Sequence, residues 1–223
     1  MMGTSSGHAG SLLSVYHALE AHYGPQDWWP GDSPFEIMVG AVLTQNTAWS
    51  NVEKAIANLK AADCLDPGRI TTLPAADLAE LIRPSGYFNV KAKRLRHFCS
   101  WYLEQGGHGT CSQWDTPALR RALLSINGIG PETADDILLY AFQRPIFVID
   151  AYTRRIFSRL GFFVEDLPYE SLRAGFEAAL PTDGDLFNEY HALIVHHGKD
   201  ICRKRPRCGL CCLRVRCINS GLN

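Results

Sequence analysis

Residues 127–134, Asn127-Gly128-Ile129-Gly130-Pro131-Glu132-Thr133-Ala134, constrain the fold of this chain more than any other stretch. They join two segments of helical periodicity, Thr116 to Ile126 and Pro131 to Phe142. Pro131 falls at the first position of the second helix, where its missing N–H would be unpaired in any residue. Two glycines permit positive φ and the close approach of another backbone. No strand pattern precedes the turn, which excludes the dinucleotide-binding fingerprint. What is left is a helical hairpin. Its turn offers free N–H groups and a positive helix end, a setting that can hold a phosphate without reading a base. A tight turn with no ligand is the alternative at this point.

The rest of the chain is helical too. Periodicity predicts helices over Ser11–Tyr23, Pro34–Leu43 with Ser33 as cap, Asn51–Leu59, Pro74–Ile82 and Lys91–Leu103. Further helices are predicted over Asp150–Leu160, Pro168–Leu180 and Leu186–Lys199. Only Pro145–Ile149 reads as a strand, and it is too short and solitary to make a sheet. The expected fold class is therefore all-α. With 223 residues, 46% of them hydrophobic and 20% charged, the chain can bury a sizeable core. Its apolar runs are too short to span a bilayer, and its opening MMGTSSGHAG lacks the charged-then-apolar order of a leader. A frayed N-terminal tail and a cytoplasmic monomer with no membrane contact are the expectations.

Formal net charge is −1, yet the charge is uneven. Residues 199–216 hold seven Lys or Arg and one Asp, and Lys91 to His97 hold four basic residues and no acid. Two such segments can form a phosphate-facing footprint on a chain that is neutral overall, or two solvated faces. Five of the eight cysteines crowd into positions 202–217, as Cys202-x5-Cys208-x2-Cys211-x5-Cys217 with Cys212 as a spare. No leader favours disulfides, and thiolates at these spacings suit a metal or an iron–sulfur cluster. The apolar run Pro145-Ile146-Phe147-Val148-Ile149 ends on Asp150, which opens a helix whose dipole favours the charged carboxylate.

Hairpin and aspartate together resemble the helix-hairpin-helix, Gly/Pro-rich loop and aspartate superfamily of DNA base-excision glycosylases, the endonuclease III-like proteins. The likeness rests on INGIGPETADDILLYAF followed, after a short loop, by VIDAY. Trp28-Trp29-Pro30, GAVLTQNT (40–47), RPSGYFNVKAKRL (83–95) and His197-Gly198-Lys199 are similar to the 3-methyladenine DNA glycosylase III type. The resemblance implies a two-lobed helical fold with its active site in a cleft. Residues 1–27 would belong to the cluster-side lobe, 28–145 to a lobe ending in the helix-hairpin-helix (116–142), and 146–223 to C-terminal helices carrying the cluster loop (202–217).

By the same resemblance, Asp150 is catalytic: it stabilises an oxocarbenium-like sugar and orients the attacking water. Asn127, Gly128, Ile129, Gly130 and Thr133 grip the DNA backbone. Gln45 fills the gap left by a flipped base. Trp28, Trp29 and Pro30 form the base pocket, where aromatic faces suit a cationic alkylated purine. Bifunctional members carry a Schiff-base lysine two residues after the second hairpin glycine. Here that residue is Glu132, which cannot form a Schiff base, so base removal without strand cleavage is implied.

Endonuclease III-like proteins carry a [4Fe–4S] cluster on a similar tail, with six residues in the first gap instead of five. The implied ligands are Cys202, Cys208, Cys211 and Cys217, with zinc as the alternative. The implied partner is double-stranded DNA containing a damaged base. A glycosylase for mismatched or oxidised bases, and a non-catalytic helix-hairpin-helix DNA-binding protein, are the competing readings. His191, His196 and His197 share one predicted helix and read as packing or DNA-facing residues.

Overall fold

The computed structural model describes residues 11–28 and 31–219. The expected frayed tail, Trp29 and Pro30 lie outside the described residues. Among those described, the chain is α-helical with no strand: α1 Leu12–Tyr23, α2 Pro34–Leu43, α3 Trp49–Ala61, α4 Pro67–Thr72, α5 Ala75–Leu81, α6 Phe88–Glu104, α7 Gly107–Cys111, α8 Thr116–Leu124, α9 Pro131–Asp136, α10 Ala151–Arg159, α11 Tyr169–Ala179 and α12 Gly184–Asp200. The chain divides into two compact units, Met1–Trp28 with Pro145–Asn223, and Trp29–Arg144.

The second, central unit is built around α2. Ile37, Met38, Val39, Val42 and Leu43 are all buried, so this helix is apolar on every side and is surrounded by α3, α6 and α9. Ser33 caps its start by accepting from Glu36 N. Its last carbonyl is satisfied unusually. The Lys91 ammonium, 1% exposed, donates to Leu43 O at 2.9 Å and to Ser85 O at 2.5 Å. Burial, then the charge of Arg94, holds Lys91 down to about 8. After α9 the chain continues as a π-helical turn, Ile137–Ala141, every residue of which is buried.

In the terminal unit an aromatic cluster organises the core. Phe147 stacks on Phe176 at 4.3 Å between centroids, Phe157 meets Phe176 edge-on at 4.8 Å, and Tyr190 closes on Phe147 at 5.7 Å. Each such pair contributes about 0.5–1.5 kcal/mol beyond area burial. The Tyr190 hydroxyl donates to Leu12 O at 2.7 Å, which ties α1 to α12.

The segment Pro145–Ile149, expected to be a strand, has no regular secondary structure. Its N–H groups find side chains instead: Phe147 N donates to Glu177 Oε1 at 3.0 Å and Ile149 N to the Tyr169 hydroxyl at 3.4 Å. Two short helices had no sequence expectation. α7 begins at Gly107 after Gly106 as its cap, both at positive φ, and α4 begins in Asp66-Pro67-Gly68, which reads as a turn.

Candidate active site, DNA grip and cysteine cavity

The hairpin in the central unit runs from α8 through 125–130 into α9. Gly128 has φ +96°, and a Cβ there would sit 2.3 Å from Arg94 Cγ. Ile129, 5% exposed, plugs the turn into the core. Gly130 caps α9 with extended backbone, φ −94° and ψ 177°, and a Cβ there would meet nothing within 4 Å. Gly128 is thus required by the chain's own packing, whereas Gly130 leaves open space in front of the turn. A fork of two hydrogen bonds locks the helices together: Arg120 Nε to Asp135 Oδ1 at 2.7 Å and Nη2 to Oδ2 at 3.0 Å, with Asp135 fully buried. Asn127 is exposed, and its carbonyl lies 3.3 Å from His97 Nδ1.

Gln45, in the turn after α2, is held by this hairpin. Its Nε2 donates to Gly128 O at 3.2 Å and to Thr133 Oγ1 at 3.0 Å, and Arg94 donates to its Oε1. The structure brings Gln45, Gly128 and Thr133 together, with the Gln45 amide engaged inside the protein. Its neighbour Asn46 is exposed and left-handed at φ +54°. The basic run 91–97 is not one solvated face. Lys91 is buried, Arg94 serves Gln45, and Arg96 donates to Thr71 O at 2.8 Å. Lys93 and His97 are its exposed members.

In the terminal unit Asp150 is the N-cap of α10. Its Oδ1 accepts from Thr153 N at 2.7 Å and from Thr153 Oγ1 at 2.8 Å. Its Oδ2 faces His191 Nε2 of α12 at 3.7 Å, an ion-pair distance, with side chains 12% and 10% exposed. Burial opposes ionisation of Asp150 most strongly. His191 and the two Thr153 bonds outweigh it and hold the carboxyl below its usual range. One oxygen is thus committed to the helix while the other faces a titratable ring. The pairing with His191, 41 residues away in the chain, had no local signal in the sequence.

Trp28 is half-buried at the end of the described N-terminal segment. Glu132 is exposed in the first turn of α9. Lys199 is exposed near the end of α12.

The cysteine tail wraps a cavity of ≈ 370 Å³ lined by Cys202, Cys208, Cys211 and Cys217. Cys212 is not among the lining residues. No group of three His, Cys, Asp or Glu side chains among the described residues is placed to hold a single metal ion. The four thiols line one volume, a donor set whose chemistry fits a thiolate-bound cluster or a metal ion. Burial, then the neighbouring thiols Cys212, Cys202 and Cys217, pushes Cys211 up to about 11. Arginines of α10 brace the tail: Arg155 donates to Cys202 O and Gly198 O at 2.7 and 2.8 Å, and Arg159 to Arg203 O at 2.7 Å.

The model of the HhH-GPD superfamily of base excision DNA repair proteins matches residues 39–181. A protein of Methanocaldococcus jannaschii named as a DNA repair glycosylase is 47% identical over 211 residues, covering 93% of this chain and 96% of the relative. Endonuclease III of Thermotoga maritima is 30% identical over 185 residues, 82% of each chain. Among solved structures, the H. pylori 3-methyladenine DNA glycosylase bound to 1,N6-ethenoadenine superposes with a TM-score of 0.73 at 33% identity, over 83% of this chain and 96% of that one.

Proposed function

The chain belongs to the HhH-GPD superfamily of base excision DNA repair glycosylases, and from that premise we propose that it removes alkylated purines such as 3-methyladenine from duplex DNA without cutting the strand. The observation that carries this reading is the Asp150 carboxylate. It is held ionised where water is scarce, one oxygen fixed by Thr153 and the other directed at His191. A fixed negative charge in such a place stabilises positive charge on the sugar more than the same group would in water.

An alkylated purine already carries positive charge, so it departs as a neutral base with the electrons of the glycosidic bond. Water then adds its oxygen to C1′ and loses one proton. Asp150 stabilises the cationic sugar and orients the water. No lysine stands at 132, so no covalent sugar–enzyme bond forms there and the product is an intact strand with an abasic site.

Recognition begins with the backbone. The open space before Gly130 and the exposed Asn127 support a phosphate grip at the hairpin. Gln45 acts on the duplex after release from Gly128 and Thr133. Trp28, with Trp29 and Pro30, supplies the base pocket. Cys202, Cys208, Cys211 and Cys217 would hold a [4Fe–4S] cluster, around which the basic residues of the tail would face DNA phosphates. The cluster supplies a structural anchor when bound. The protein acts as a monomer in the cytoplasm. Among the described residues no helix is long and apolar enough to cross a membrane.

The endonuclease III likeness favours a second reading, a mismatched or oxidised base as substrate. Duplexes carrying each base class, treated with the protein with and without alkali, separate the two. Alkali-dependent breaks confined to alkylated duplex support the proposal. Breaks without alkali, or at mismatched or oxidised sites only, overturn it.

A further inference from the structure

Two sulfurs of the cysteine cavity face nitrogen donors. Cys211 Sγ lies 3.5 Å from His197 Nε2, and the other ring nitrogen, Nδ1, lies 2.8 Å from the Tyr23 hydroxyl. Cys202 Sγ accepts from Arg159 Nη1 at 3.3 Å. A ligating cysteine is a thiolate and has no proton to give. Nε2 of His197 must therefore carry the proton that faces Cys211, Nδ1 must accept, and Tyr23 must donate. The result is a one-way chain, O–H to N and N–H to S, assembled from α1, α12 and the tail. His197 is 1% exposed, so water does not compete for its ring nitrogens.

An N–H aimed at a ligand sulfur stabilises the state with more negative charge on the sulfurs, which is the reduced one. Resting on the reading of the four cysteines as an iron–sulfur site, we propose that the Tyr23–His197 relay onto Cys211, together with Arg159 onto Cys202, raises the reduction potential of the group those cysteines hold. The donors also sit on the helices of the candidate active site. Arg159 ends α10, which Asp150 begins, and His197 shares α12 with His191.

The test uses the full chain purified without oxygen. Iron and acid-labile sulfide are measured first. The midpoint potential is then read by optical titration with dithionite, whose S–S bond splits to give SO2 radical anions that each supply one electron to the cluster. Tyr23→Phe removes only the hydroxyl, His197→Leu removes the donor, and His197→Gln restores an amide donor. With iron and sulfide content equal to wild type, Tyr23→Phe and His197→Leu should titrate at more negative potential, and His197→Gln should return toward wild type. If His197→Leu loses iron, Tyr23→Phe decides. Equal potentials in wild type and Tyr23→Phe, with full iron, overturn the relay while leaving the cluster reading intact. A wild-type chain holding zinc or no iron overturns the cluster reading itself, and the relay with it.

Discussion

The two hairpin glycines should respond to the same substitution in opposite ways. Gly128→Ala forces a side chain to φ +96° and places its Cβ 2.3 Å from Arg94 Cγ and 2.9 Å from Arg94 Cδ. Backbone strain of about 1–3 kcal/mol adds to overpacking of about 1–3 kcal/mol, a loss of about 2–6 kcal/mol in all. That is a large part of the ~5–15 kcal/mol that holds a typical domain folded. Arg94 can yield only by leaving Gln45 Oε1, so relief of the clash also disturbs the Gln45 network.

Gly130→Ala meets neither obstacle. Its φ of −94° suits alanine and its Cβ points into open space. The lower entropy of the unfolded chain and the poorer capping by alanine nearly cancel, for a net change within about 1 kcal/mol of zero. A methyl group there occupies the space before the turn, and duplex affinity should fall about tenfold, or ~1.4 kcal/mol. Urea unfolding followed by far-UV circular dichroism gives the stabilities, and fluorescence anisotropy with abasic duplex at two salt concentrations gives the affinities. The reasoning is refuted if Gly130→Ala unfolds as readily as Gly128→Ala, or folds and binds duplex as wild type does.

Other consequences can be checked with the same preparations. Lys91→Met leaves the Leu43 and Ser85 carbonyls buried without their donor and should cost on the order of 2–4 kcal/mol in urea unfolding. Because Lys91 titrates lower folded than unfolded, the unfolded chain binds more protons between about 8 and the ordinary lysine value. Wild-type stability should gain a rising contribution over that window that Lys91→Met lacks. Asp150 is the reverse case of a depressed carboxylate. Its contribution is present above the ordinary carboxylate range and is lost as pH falls through the lower folded value, so Asp150→Asn should show a shallower acid limb of unfolding. Cys211→Ser should lower bound iron as measured by chelator assay, whereas Cys212→Ser, outside the cavity lining, should leave it unchanged.

The helical class was legible because apolar spacing is a local property, and the caps at Ser11, Ser33 and Asp150 stand where their side chains accept from the first helical turn. The hairpin was legible because Gly-x-Gly-Pro between two helical patterns has few other solutions. Pairings across long separations were not. Arg120 with Asp135, Lys91 with Leu43, Asp150 with His191 and Tyr23 with His197 depend on packing that no window of sequence contains. The same limit explains the run 91–97. Counting charges marks it as basic, but only the fold shows that Lys91 points inward and that Arg94 lies across Gly128. The cysteine spacing pointed to a ligand site in the tail, and Cys211 but not Cys212 lines the cavity there.

The central claim is that Asp150 drives hydrolytic release of an alkylated purine. Single-turnover reactions of wild type and Asp150→Asn with methylated duplex DNA, with released bases resolved by chromatography, test it most directly. Wild type should release 3-methyladenine or 7-methylguanine and leave alkali-labile sites in uncut strands. Asp150→Asn should still bind the duplex and lose release by about 10²-fold or more, the scale set by removing one preorganised electrostatic group. Equal release by Asp150→Asn, or no release of either base by a wild-type protein that binds the duplex, contradicts the account.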